Sequence, residues 1–161
     1  MSHSTKSLQT LSSLQLRAHP IVSKSASLLV FDDMRVEISG KLLLVGVYPH
    51  DIVIPSEPFL IGQLHFFFNF RCGLDEIPKN LAFEVTLPKQ KPVRMDFKIP
   101  EKINPPLEGR KNWIVRHNVP IFGTTLHAGK IGARVIADET EIDAGGPWIV
   151  LAPPVPQAPK G

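Results

Sequence analysis

The apolar positions of this chain alternate with a period of two far more often than they recur every three or four residues, and the alternating runs are short. That is the pattern of strands, whose successive side chains point to opposite faces of a sheet. In residues 60–72, Leu60, Leu64, Phe66, Phe68, Phe70 and Cys72 fall on one face, and Gln63, His65, Phe67, Asn69 and Arg71 on the other. This run is the expected central strand. Residues 81–87 place Leu81, Phe83, Val85 and Leu87 inward against Glu84 and Thr86. Residues 93–99 place Val93, Met95, Phe97 and Ile99 inward against Arg94, Asp96 and Lys98. The short link Pro88-Lys89-Gln90-Lys91-Pro92 makes the two a hairpin with one solvated face, as antiparallel sheets allow.

Between Leu28 and Ile54 two apolar strands meet across Ser39-Gly40, read as a two-residue turn in which Gly supplies positive φ. That register puts Met34, Val36 and Ile38 on one face with Lys41, Leu43, Val45 and Val47. Ile52-Val53-Ile54 is a further short strand, closed by Pro55, which has no N–H for a ladder. Trp113 to Phe122 reads as a strand interrupted by Pro120. Ile131 to Ala137 and a return strand around Ile142 form another hairpin through Asp138-Glu139-Thr140, and Trp148 to Leu151 follows Gly145-Gly146-Pro147. Helical spacing is confined to Leu8, Leu11 and Leu14. Seven to nine short strands separated by Pro, Gly and Asp turns predict an all-β protein, an antiparallel β-sandwich of the immunoglobulin-like or C2-like type. The Cys–Trp–Cys spacing of antibody domains is absent, so the likeness is one of architecture.

Composition narrows the picture. With 161 residues, 43% hydrophobic and 20% charged, one globular domain is expected over 27–151. Residues 1–26 carry Lys6, Arg17 and Lys24, many serines and no acids, which predicts a flexible extension in preference to a secretory signal or an organelle transit peptide. Residues 152–161 form a Pro-rich tail, read as an extended spacer although Pro153, Pro156 and Pro159 have the PxxP spacing that docks in aromatic grooves. No apolar run is long enough for a membrane span. The single Cys72 cannot form an internal disulfide and sits in the most apolar run, which fits a buried thiol and a cytoplasmic location.

Charge is unevenly placed. Residues 89–116 hold eight Lys/Arg against three acids, whereas residues 25–88 hold four against eight. A local basic face follows, though one well short of the stripe that binds a phosphate backbone, so nucleic acid is not an expected partner.

The stretch Phe31-Asp32-Asp33, Arg35, Glu37, Gly40-Lys41-Leu42, Gly46-Val47-Tyr48 and Asp51-Ile52 resembles a family of small bacterial proteins known only as a domain of unknown function. Gly132-Ala133-Arg134-Val135-Ile136-Ala137-Asp138 looks like that family's closing hairpin. The resemblance spans roughly 27–151; it implies a cytoplasmic bacterial β-sandwich and brings no catalytic residues. The Ser-rich and Pro-rich ends depart from it.

Catalytic and metal chemistry find little support. The six histidines show no HxH, HExxH or HxxxH pairing, no run has the ligand density of a calcium loop, and neither a GxSxG elbow nor a Gly-rich phosphate loop occurs. No cofactor or metal is expected. The leading expectation is a non-enzymatic module that holds a protein partner or self-associates. Its candidate surface is His65, Phe67 and Asn69 on the outer face of the central strand, with the basic residues Arg94, Lys98, Arg110 and Lys111 near the irregular 100–112 connection. The alternative is a ligand-binding or hydrolytic sandwich acting on an anionic lipid or glycan. It requires Asp32, Asp51 or Asp138 to converge at one end with His50 or His127. A third reading makes the chain a component of a larger assembly that orders its ends.

Overall fold

The computed structural model describes residues 24–101, 109 and 111–154. Among them the strands are β1 (Ser25–Phe31), β2 (Asp33–Val36), β3 (Leu42–Val45), β4 (Ile52–Ile54), β5 (Phe59–Gly73), β6 (Leu81–Thr86), β7 (Val93–Phe97), β8 (Asn112–Leu126), β9 (Gly129–Lys130), β10 (Gly132–Ala137), β11 (Thr140–Asp143) and β12 (Trp148–Leu151). A single 3-10 turn, Leu74–Glu76, is the helical structure among the described residues. The fold is all-β, as the period-two pattern requires.

The antiparallel pair β5–β8 runs from Phe59 opposite Leu126 to Gly73 opposite Asn112, and β1 pairs with β5 on its other side. A second antiparallel sheet has the order β11-β10-β6-β7. The inner faces of the two sheets share one core, a β-sandwich arrangement in which Phe68 of β5 lies 5.2 Å from Phe83 of β6, ring centre to ring centre. Phe66, Phe68, Phe70 and Phe83 have no exposed surface, and each such side chain contributes roughly 1.5–3 kcal/mol by leaving water. Cys72 is buried among them as a free thiol. A small sheet, β4-β12-β9, adds Ile52, Ile54 and Ile149 to the same core, and its β4–β12 pair is parallel.

Several local expectations are corrected. Leu60 was expected inside but is 72% exposed, while Phe59 and Ile61 pack on the core. The cause is a phase slip at Gly62 and Gly123, which face each other where the ladder skips a rung between Ile61↔Thr124 and Gln63↔Phe122. Gly123 has φ +56, a left-handed backbone that glycine adopts without penalty. On β8 the same slip brings both Ile121 and Leu126 into the core.

The β2–β3 turn is longer than expected. Glu37 N bonds to Lys41 O at 2.9 Å and Gly40 N to Glu37 O at 2.8 Å, so the loop is Ile38-Ser39-Gly40, with Gly40 at φ +77. A three-residue loop preserves parity across the turn: Val36 pairs with Leu42 and Met34 with Leu44, so Lys41, Leu43 and Val45 lie on the opposite face from Met34 and Val36. The 81–97 hairpin forms in the expected register, but its outer face is not simply solvated. Glu84 is 8% exposed, because Arg134 of β10 covers it with a 2.6 Å ion pair and also reaches Glu141 of β11 at 2.6 Å. Val93 and Met95 stay over a third exposed because β7 is a sheet edge. Pro120 does not interrupt β8, which continues to Leu126; β8 is also an edge strand, where proline is tolerated.

One imidazole lies inside the sandwich. His117 of β8 stacks on Phe83 at 4.9 Å and meets Phe97 edge-on at 5.6 Å, with its Nε2 buried and unpartnered. Burial lowers its pKa below the usual 6.5. The native state therefore takes up this proton less readily than the unfolded chain. The associated stability is complete above pH 6.5 and is lost as pH falls from there through the depressed native value. Urea midpoints at pH 7.5, 6.5 and 5.5 are expected to fall more steeply for the native sequence than for His117→Leu; parallel curves would remove His117 from the acid response.

Candidate functional site

The outer face of the β1–β5–β8 sheet is built from residues that alternate with the core. Cross-strand register sets them in rows: Phe31, His65 and Pro120; Leu29, Phe67 and Asn118; Ser27, Asn69 and Arg116; Ser25, Arg71 and Ile114. His65 and Phe67 do occur on one face, as the alternation predicts. His65 is nevertheless 8% exposed, so it supports the surface from below. Its ring stacks on Phe31 at 5.3 Å and 4°, and Phe122 approaches its edge at 6.2 Å. Asn118 Nδ2 lies 3.0 Å from His65 Nδ1 and donates to it.

Phe67 is partly buried, tilted against Phe31 at 6.4 Å. Leu29, opposite it, is 47% exposed; Phe122, 65% exposed, lies two rows towards the His65 end, and Ile114, 47% exposed, two rows the other way, opposite Arg71. Towards the opposite end the face turns basic, with Arg71 and Arg116 exposed and Lys111 beside them in a groove with Asn112 and Ile114. The Asn69 and Asn118 Oδ1 atoms on this face are buried without a hydrogen-bond partner. At the other end, the β2–β3 hairpin approaches β5. There the Asp33 carboxyl is held below the usual carboxylate range, mainly by the Arg35 guanidinium at 3.1 Å and in small part by the neighbouring His65.

Of the expected surface residues, His65, Phe67 and Asn69 belong to this sheet and Lys111 directly precedes its strand β8. Arg94 and Lys98 belong to the other one: they line a groove with Lys79, Asp96 and Asp138 at β6 and β7, and Arg94 pairs with Asp96 at 3.1 Å. Arg110 and residues 102–108 of the connection lie outside the described residues. Leu29, Ile114, Arg116 and Phe122 were missed by sequence reading. Their strands were legible, but only the β1–β5 and β5–β8 registers, the latter continuing past Pro120, place them on the same face as Phe67.

The acids of the alternative reading and His127 serve as local anchors, while His50 and Asp51 line one groove with Tyr48. Tyr48 donates from its hydroxyl to Asp32 Oδ1 at 2.6 Å, and burial with this nearby carboxylate pushes its pKa up to about 12. Asp51 accepts from the Trp148 backbone N–H at 3.2 Å. Asp138, with φ 55, accepts from the Lys79 and Asn80 N–H groups at 2.9 Å each, and so ties the β10–β11 turn to the start of β6. His127 pairs with Glu57 at 3.0 Å, and Lys89, just past the end of β6, reaches the same carboxylate at 2.7 Å. These contacts, Lys89 first and His127 second, hold Glu57 below the usual carboxylate range. Asp138 and His127 thus sit at opposite ends of β6. No three metal-capable side chains converge among the described residues.

This arrangement has the parts of a binding surface: exposed apolar side chains beside packed rings, and a basic end. No helix among the described residues is long and apolar enough to cross a membrane. No family model, curated protein or solved structure matches the chain. The family resemblance therefore rests on the motif residues quoted above.

The base of the β2–β3 hairpin is fixed by Asp32. Its N–H bonds to Val45 O at 3.0 Å, and a Cβ on Gly46, which has φ +65, would come within 2.1 Å of its Oδ2. Tyr48→Phe leaves the carboxylate without its donor and is expected to cost about 1–3 kcal/mol in urea unfolding. Gly46→Ala adds strain and overlap and is expected to cost more. Equal stability of the native chain and Tyr48→Phe would show that the pair does not hold the hairpin.

Proposed function

We propose that this protein is a non-enzymatic interaction module that holds a protein partner against the outer face of the β1–β5–β8 sheet. One observation carries the reading: Leu29, opposite Phe67, and Phe122, against the edge of His65, are each about half exposed or more along the packed rings of Phe31, His65 and Phe67, on a face whose far end is basic. Apolar side chains grouped in this way on a flat sheet match the core of an interface, and charges at the margin match its rim. The partner that suits it presents an apolar patch bordered by acidic residues. The basic end disfavours a parallel pairing of two such faces and favours a heterologous partner. A lone buried thiol supports residence in the cytoplasm, where free cysteines persist.

The test is site-specific photo-crosslinking in cells that express the chain. A photoreactive amino acid at Phe122 is expected to yield a defined adduct with one protein, and the same group at Lys98, on the other sheet, is expected to yield none. Suppression of the adduct by Leu29→Asp, with the melting temperature preserved, would tie it to the face. An adduct pattern common to both positions, or none at Phe122, would overturn the proposal.

A further inference from the structure

A second surface lies apart from the outer sheet face. Tyr48, Pro49, His50 and Asp51, before β4, meet Pro147 and Trp148, at the start of β12, around a shallow groove of about 270 Å³. Its walls are rings. Trp148 is 53% exposed, and its backbone is tied to the opposite wall by the bond from its N–H to Asp51. Tyr48 is held in place by its 2.6 Å bond to Asp32. Gly146 permits the close approach on which this geometry depends, since a Cβ there would come 2.2 Å from the Ile131 carbonyl oxygen. A rigid groove of aromatic and proline rings with a carboxylate at its margin has the chemistry that recognises polyproline-type segments, which arrive already extended and lose little entropy on docking.

This chain carries such a segment. Residues 152–160 read Ala-Pro-Pro-Val-Pro-Gln-Ala-Pro-Lys, with the PxxP spacing twice over and Lys160 directly after the last proline. Asp51 offers the opposite charge. We propose that the groove of Tyr48, Pro147 and Trp148 binds the Pro-rich segment of a second copy of this chain, so that two copies exchange tails.

The exit direction assigns the exchange to two copies. The groove sits at the start of β12, whereas the tail leaves from its end. Ala152 N bonds to Ile54 O at 2.8 Å, so the chain continues along β4 away from Trp148. Four residues of strand already carry it roughly 13 Å from the groove. A return to its own groove demands a reversal within Pro153, Pro154, Val155 and Pro156, a sequence stiff in the extended form. Reciprocal exchange between two copies needs no reversal and closes as a two-fold dimer.

Sedimentation equilibrium of the full chain, with and without a synthetic peptide of residues 152–161, tests the proposal. The average mass is expected to rise with concentration towards that of a dimer and to fall back to monomer in excess peptide. A peptide with its prolines replaced by Ala is expected to have no effect, and Trp148→Ala to abolish association. Peptide is also expected to change the tryptophan fluorescence of the full chain and of a Trp113→Phe variant alike, which reports on Trp148 without disturbing the groove. A monomer at every concentration with no fluorescence response overturns the proposal. A monomer that binds peptide overturns the exchange between copies. Association that persists in peptide and in Trp148→Ala also overturns it, and moves self-assembly to the outer sheet face; failure of the crosslinking at Phe122 would instead leave the groove untouched.

Discussion

The structure depends on a constraint imposed by β5: fifteen residues of one strand carry large side chains on both faces, so each face must be accommodated separately. Phe66, Phe68 and Phe70 point inward and are fully buried, Phe68 against Phe83 of the second sheet and Phe70 against Trp113. His65 and Phe67, one residue out of phase, necessarily point the other way. The inward set stabilises the sandwich. The outward set produces a surface that the rest of the described chain covers only at the His65 end, through Phe31 and the approach of the β2–β3 hairpin.

Polar residues hold the loops in place around this frame. Asp32 fixes Tyr48, Asp138 fixes the turn before β6, and Glu57 gathers Lys89 and His127. Each takes an acid that might otherwise be read as catalytic and satisfies it with donors from a distant stretch of chain. Lys89 shows how local cost is accepted for this purpose. It occupies the third position of the turn in which Gln90 N bonds to Leu87 O, with φ 61, where glycine is the usual residue. Its ammonium nevertheless reaches Glu57, an interaction that glycine cannot make.

Period two made the strands legible because burial on one face filters residues strongly, and the segments read at 81–87 and 93–99 do pair as a hairpin, over Leu81–Val85 and Val93–Phe97. Phase was less legible. At Gly62 and Gly123 two residues without side chains let the alternation change phase while the pairing register holds, and nothing in the alternation before them announces it. The β2–β3 turn misled for a related reason: Ser39-Gly40 fits a two-residue loop, and only the hydrogen bonds of Glu37 reveal the third residue. The candidate face was half legible. Phe67 marked it, but its neighbours come from β1 and β8, and cross-strand register is a tertiary fact that one sequence does not display. Glu84 and His117 reversed the simple rule of polar outside, since Arg134 covers the first and two phenylalanines enclose the second.

The most direct measurement compares the urea stability of Phe68→Ala with that of Leu29→Ser combined with Phe122→Ser. Loss of the inward ring is expected to cost about 3–5 kcal/mol through transfer and cavity terms. The outward pair is expected to change stability by less than about 1 kcal/mol in total, as exposed positions usually do. A large loss from the outward pair would mean that the chain folds against this face, and would contradict its role as a surface kept open for a partner.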